Sequence, residues 1–427
     1  MNTDNLAVNG KFKATVAQNL EGWLGITVVT ILILLPLNGL WARLAAAQQF
    51  GDSGMLLEWV QIAILIFLVL GSIWLGFWRR HFFSWGAADY CLLTYLVIAG
   101  LSYFWSNQSL LEHLTGLRYS ALLFLFYFVA RVIKQRDNWF RGARLAMVVV
   151  ATIASIQLIL WWLFPITREW LPFSVGDLAG QLPRLRGSFS GPNQLATFLV
   201  LAWLGAIVFD HPKRYWVATS SIVIILILAT FSRSALLGLT GGLLAVAFLL
   251  PEYRRRVVSQ IGVIALVTIL MISLVSVSTG NLLSGSLFRT ISDSGHLESS
   301  KTAIRAIFDA EPATILLGHG AGTSGPSTLN WYKSVISENW YLQTAYEYGL
   351  VGLLAVLGFF GTLLWRAYRQ GQAGLLAMTV ALMMNALFLH PLSDNAAATL
   401  LFFIGAGVLY LSDQHQVSNG DKIESIR

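Results

Sequence analysis

An all-α, polytopic membrane protein is the fold class that this sequence predicts, on three observations. Hydrophobic residues make up 56% of the 427 and charged residues only 11%, against about 25% charged in soluble domains. Apolar runs of about 17–25 residues, the length that spans a bilayer, recur along the chain. Lys and Arg are shared unevenly among the stretches between those runs, as orientation in a membrane requires.

The runs fall near 23–40, 57–78, 87–105, 119–133, 143–164, 194–209, 215–231, 234–250, 257–277, 350–368, 374–389 and 396–411, about twelve spans by length. The first is long enough to span and no small-residue cleavage site follows it closely, so no cleavable signal peptide is expected. With the N-terminus in the cytoplasm, eighteen of the 28 Lys and Arg residues fall inside and ten outside. The positive-inside rule then puts both termini in the cytoplasm, including a tail over 412–427. The basic clusters Arg254 to Arg256 and Arg131 to Arg144 read as orientation signals. The whole chain, 1–427, reads as one transmembrane domain. Its longest polar stretch is an outward loop over about 279–335, far longer than an ordinary connection. The net charge of +7 therefore marks topology, and no nucleic-acid partner is expected. The lone Cys91 lies in an apolar run and rules out an internal disulfide and a cysteine zinc cluster.

The outward basic residues break the orientation rule and are the informative ones. Arg184 and Arg186 end a loop over 165–193. The following Gly187-Ser188-Phe189-Ser190-Gly191-Pro192-Asn193 reads as a turn with Asn193 as a helix cap, an arrangement that favours an anion. It is equally a plain turn before a helix. Arg233 sits on the two-residue corner between the seventh and eighth spans, which forms a tight re-entrant corner or one broken pair. It can snorkel, but a corner that short favours an anion partner. Arg305 lies in the long loop, in a stretch of helical spacing with Leu297, Ile304 and Phe308 on one stripe and a Glu298–Lys301 pair. Gly318-His319-Gly320-Ala321-Gly322 lacks the flanking strand and lysine of a phosphate loop and reads as a flexible turn, with His319 more simply structural.

Glu338 opens the helix that leads into the tenth span, followed by Asn339, Trp340 and Tyr341, an interfacial aromatic. On that helix Glu347 points away from Glu338, so the two do not form an acid–base pair. Glu338 either supports the helix N-terminus or acts as a base. His390 ends the eleventh span on the same side and is a second candidate for the wall of the site. No carboxylate pair for a divalent metal, no nucleotide loop and no Ser-His-Asp pattern can be assigned. Several arginines with one carboxylate suit a reaction without metal or cofactor on a diphosphate-bearing substrate.

These motifs carry a resemblance. Arg186-Gly187-Ser188-Phe189 with Gly191-Pro192-Asn193, then Ser232-Arg233-Ser234, then Leu317-Gly318-His319-Gly320, Glu338-Asn339-Trp340-Tyr341-Leu342 and Glu347-Tyr348-Gly349-Leu350-Val351-Gly352 follow in order. Over about 184–352 the chain resembles the O-antigen ligase and O-antigen polymerase superfamily of bacterial membrane glycosyltransferases. The resemblance implies an inner-membrane enzyme with a periplasmic site and an undecaprenyl-diphosphate-linked glycan as donor. It implies pyrophosphate binding by Arg186 and Arg233, joined here by Arg184 and Arg305, and a base at Glu338. Asn193, Asn339, Tyr341, His319 and His390 stand as possible walls of the site. Ligases of the family commonly carry His-Asn where this chain has Glu338-Asn339, so a surface-polysaccharide polymerase with a glycan acceptor leads. A ligase to lipid A–core and a protein-glycosylating enzyme are the alternatives. From another class, a flippase or transporter of the same lipid-linked sugar would also want outward arginines. It would show discontinuous helices and mid-membrane polar residues, whereas the spans here read as mostly unbroken.

Overall fold

The computed structural model describes residues 3–41, 53–79, 85–133, 136–163, 178–179, 182–208, 213–279, 290–325, 338–393 and 395–409. Arg43, Arg168, Arg289, Lys333, the 412–427 tail and both edges of the 279–335 loop lie outside them. The described chain is helical apart from a two-residue ladder pairing Leu178–Ala179 with Leu182–Pro183. In order the helices are α1 (Thr3–Leu34), α2 (Ser53–Arg79), α3 (Ala87–Leu101), α4 (Leu110–Ser120), α5 (Phe126–Ile133), α6 (Arg136–Leu163), α7 (Pro192–Trp203), α8 (Lys213–Ala229), α9 (Arg233–Leu249), α10 (Arg254–Thr279), α11 (Thr290–Phe308), α12 (Pro312–Leu317), α13 (Trp340–Arg369), α14 (Ala373–Ala386) and α15 (Ala396–Leu409).

Among the described residues, five helical stretches are long and apolar enough to cross a membrane. The number is seven if each of two bent pairs is one span. One pair, α4 with α5, bends by 50°, and the other, α9 with α10, by 116° around Pro251. The chain is thus a polytopic, membrane-embedded helical protein. Each run read as a span is helical, but several are shorter than the reading implied. α7 has 12 residues before a π-helical turn at Leu204–Val208, and α14 and α15 have 14 each. Fourteen residues reach about 21 Å, less than the ~30 Å hydrocarbon core. α15 is buried from Ala397 to Leu409, so its apolar surface meets protein on every side.

Close approach of backbones holds the centre together. A Cβ on Gly238 of α9 would lie 2.6 Å from the Ala381 carbonyl oxygen of α14, and one on Gly242 would lie 2.6 Å from that of Ala377. The two helices therefore run antiparallel in near contact, as small residues allow where no hydrophobic effect drives association. Carried to the start of α9, this register sets Arg233 level with Ala386.

Hydrogen bonds gather the connections at two ends. At one end Leu40 N–H donates to the Ser188 carbonyl (2.7 Å), Leu185 N–H to Ala229 (2.9 Å) and Asn395 Nδ2 to Gln194 (2.9 Å). Asn339 Nδ2 donates to Leu387 there (3.0 Å), and Ala321 N–H to Ser102 Oγ (3.2 Å). At the other end Arg144 Nε donates to Ala206 O (3.0 Å) and Gln372 Nε2 to Leu409 O (2.9 Å).

The second end corrects one expectation. Arg131 is not a loose orientation charge: it is wholly buried and paired with buried Asp89, over the Tyr127 ring. Asp89 also accepts from Gly86 N–H at the start of α3 (2.6 Å). A buried pair is strongly destabilising to break, because removing one partner strands the other charge. Asp89→Ala should therefore lose about 3–5 kcal/mol, read as a large drop in thermal midpoint in detergent. The double replacement Asp89→Leu/Arg131→Met should recover most of it. A midpoint unchanged in Asp89→Ala would show that the pair contributes nothing.

Candidate functional site

The tenth predicted span begins where α13 breaks. Gly349 has φ 65° and ψ −173° inside that helix, a conformation open to glycine and strained for other residues. A Cβ there would overlap the Leu316 carbonyl. The break withdraws the amides that would have bonded the preceding turn, and carbonyls so exposed need other donors. The glycine-rich turn supplies them: His319 N–H donates to Tyr346 O (2.9 Å) and Gly320 N–H to Glu347 O (2.8 Å). The Glu347 side chain completes the joint. Only 1% exposed, its Oε1 accepts from Gly322 N–H (3.1 Å) and Ser324 N–H (3.3 Å). The turn read as flexible is thus pinned to α13 by backbone and side chain. Beneath it the buried Tyr348 hydroxyl bonds Ser120 of α4, and Tyr95 of α3 packs edge-on against the Tyr348 ring at 5.2 Å.

Glu338 stands before the helix and does not open it. The cap is Asn339, whose Oδ1 accepts from Tyr341 N–H (2.9 Å) and Leu342 N–H (3.1 Å). Its amide nitrogen reaches Leu387 O, and the Tyr341 hydroxyl donates to Met383 O (2.9 Å). Since Glu338 precedes the cap, it lies off the helix, and the helix-support reading passes to Asn339. Both contacts seat the start of α13 on the C-terminal end of α14. Glu338 is half-buried there.

The arginines are reached from the other side of that same end. Arg184 donates from Nε to Thr230 O (2.8 Å) and from Nη2 to Asn193 Oδ1 (2.7 Å). It brackets the turn before α7 against the α8–α9 corner, three residues from Arg233. Asn193 is not the expected cap, because Gly191 holds that place and Pro192 follows it. Asn193 instead accepts from Arg184 through its side chain and from the Thr197 hydroxyl through its carbonyl (2.9 Å). Thr197 in turn accepts from Asn385 Nδ2 of α14 (2.8 Å). Arg186 is half-buried within the turn, and Arg233, the first residue of α9, is exposed.

The end of α14 therefore collects Arg184, Asn193, Arg233, Glu338, Asn339 and Tyr341. His390 belongs with them: it is buried in the α14–α15 turn, where its carbonyl accepts from Ser393 N–H (3.1 Å) and Ser393 Oγ donates to Gln343 of α13 (3.2 Å). Two candidates stand differently. His319 stacks on Tyr346 at 4.0 Å and 8°, with Nδ1 against Tyr346 O at 3.2 Å, a structural role. Arg305 is exposed on α11, which packs chiefly on α13. Among the described residues no three His, Cys, Asp or Glu side chains gather to hold a metal ion.

Sequence reasoning took Glu347 only as a carboxylate pointing away from Glu338 and passed over Gln343 and Asn385. A carboxylate two residues before a glycine at the edge of a span was the available signal for Glu347. No protein-family model matches the chain, and no curated protein matches it.

Glu347→Ala would leave two buried amides without their acceptor, at about 1–3 kcal/mol each. Hydrogen exchange should accelerate at Gly322 and Ser324 while α9 and α14 stay protected. Glu347→Gln, which keeps one acceptor oxygen, should exchange less. Unchanged exchange in Glu347→Ala would show that the turn stands without its carboxylate.

Proposed function

We propose that the protein is a metal-independent membrane glycosyltransferase that uses an undecaprenyl-diphosphate-linked glycan, acting as a polymerase of surface polysaccharide. One observation carries the reading: the Arg184–Arg186 turn, the Arg233 corner and the Glu338–Asn339 strap are all tied to the C-terminal end of α14. Arg233, with Arg186, would hold the diphosphate through paired N–H donors. Arg184, engaged by Thr230 and Asn193, would position that turn. Glu338 would take the proton from the acceptor hydroxyl as its oxygen bonds the anomeric carbon of the donor. The bond from that carbon to the phosphate oxygen breaks with inversion, and undecaprenyl diphosphate leaves with the electron pair.

The topology proposed with it has twelve spans, cytoplasmic termini and the 279–335 loop on the periplasmic face of the inner membrane. It is supported by the sorting of hydrogen-bonded connections. Every pair joined at the first end comes from stretches read as outward, and every pair at the second from stretches read as inward. The break at Gly349 lies where the 350–368 span begins and not at mid-membrane, which favours an enzyme over a transporter.

Glu338→Gln preserves size and hydrogen bonding but cannot accept the proton, so transfer should fall about 10²–10⁴-fold while donor binding persists. Arg233→Lys should also be poorly tolerated, because lysine lacks the bidentate fork. The assay is transfer by purified protein from a polyprenyl-diphosphate glycan, with chelator present. Full turnover by Glu338→Gln would refute the base. For topology, a thiol label on Thr302→Cys in a Cys91→Ala background should react from outside intact cells, and one on Arg255→Cys only after permeabilisation. The reverse pattern would overturn the orientation.

A further inference from the structure

α11 is helical as its spacing predicts, but its apolar stripe is not covered. Leu297, Ile304 and Phe308 are 59%, 42% and 66% exposed, whereas the small and apolar Ala303 and Ile307 are buried. At 100° per residue the three exposed side chains fall within about 40° of one another. Lys301 and Arg305 follow on one flank of the stripe, both exposed, and Lys301 holds only a loose 3.8 Å pair with Glu298. An apolar stripe bordered by cations is the pattern of a helix lying in a membrane interface.

The depth of this element is set by its neighbours. The Leu316 carbonyl of α12 lies against Gly349, which precedes the 350–368 apolar run, and Gly320 lies against Ser106, just past the Ala87–Phe104 stretch. α12 and the turn after it are thus level with the break in α13 and with the end of the Ala87–Phe104 stretch, and α11 packs on α13 beside them. Leu316 of α12 and Phe104 at the end of the Ala87–Phe104 stretch are exposed as well.

We infer that α11 and α12 lie in the plane of the bilayer surface, with Leu297, Ile304 and Phe308 among the acyl chains and Lys301 and Arg305 at the lipid phosphates. The occupant is the bilayer, because α11 packs on α13, a helix long and apolar enough to cross a membrane, and its flanking cations match anionic headgroups. Lys301 and Arg305 extend their stems along that apolar surface and keep their charges at the headgroups. Arg305 then serves lipid phosphates and not the donor diphosphate. The inference is independent of glycosyl transfer.

The test uses the full chain in Cys91→Ala background, in nanodiscs of phosphatidylethanolamine and phosphatidylglycerol. Nitroxide labels are placed singly at Leu297→Cys, Ile304→Cys and Phe308→Cys, with Glu298→Cys and Thr302→Cys as controls. All five positions are exposed, so folding is not at stake. Collision with oxygen should exceed collision with a water-soluble nickel chelate at 297, 304 and 308, and the order should reverse at 298 and 302. High nickel collision at all five places the stripe in water and overturns the inference. Low collision with both reagents at 297, 304 and 308 means protein covers it. Spin–spin coupling between labels would then identify a second copy. Either result also overturns it.

Discussion

The break in α13 at Gly349 is the constraint on which the rest of that end of the bundle depends. A helix of 30 residues would otherwise run straight from Trp340 to Arg369. With the break, its first nine residues become a separate strap, and two carbonyls are released to bind the glycine-rich turn. That turn carries α12, and behind it α11, down to the level where the spans end. The strap is capped by Asn339, docked on α14, which leaves Glu338 beside the C-terminal end of α14. One backbone torsion therefore shapes both the segment that follows Glu338 and the packing of the glycine-rich turn.

Apolar surroundings give the polar groups of this protein their leverage. A buried amide or hydroxyl without a partner loses the full cost of desolvation, and at this end of the bundle several polar side chains find one another across helices. Arg184, Asn193, Thr197 and Asn385 join α7, the α8–α9 corner and α14 in one line. Gln343 joins α13 to the turns on either side through Ser324 and Ser393. Satisfied networks of this kind specify one arrangement of helices, which hydrophobic contact in lipid does poorly. They also tie Arg184, and through it Asn193, to the corner that carries Arg233.

Composition and periodicity by themselves determined that the chain is helical and membrane-embedded, and where nearly every helix lies. Low charge and long apolar runs leave no other way to satisfy the backbone in lipid. Local order in the sequence also marked Arg186, Arg233, Glu338 and Asn339 as a group to watch. Hydropathy could not say what each apolar helix touches. Lipid and protein interior are equally apolar, so α15, enclosed by protein, reads like a span facing lipid. Nor could it say which charge is free. Arg131 reads as an orientation signal alone until Asp89, 42 residues away, is seen beside it and gives it a packing role as well. Only the tertiary structure decided that Asn339 and not Glu338 caps α13, that Asn193 holds Arg184 and is no cap, and that Glu347 pins the glycine-rich turn. In each case the partner is distant in sequence, and a hydrogen bond across such a separation leaves no local pattern to read.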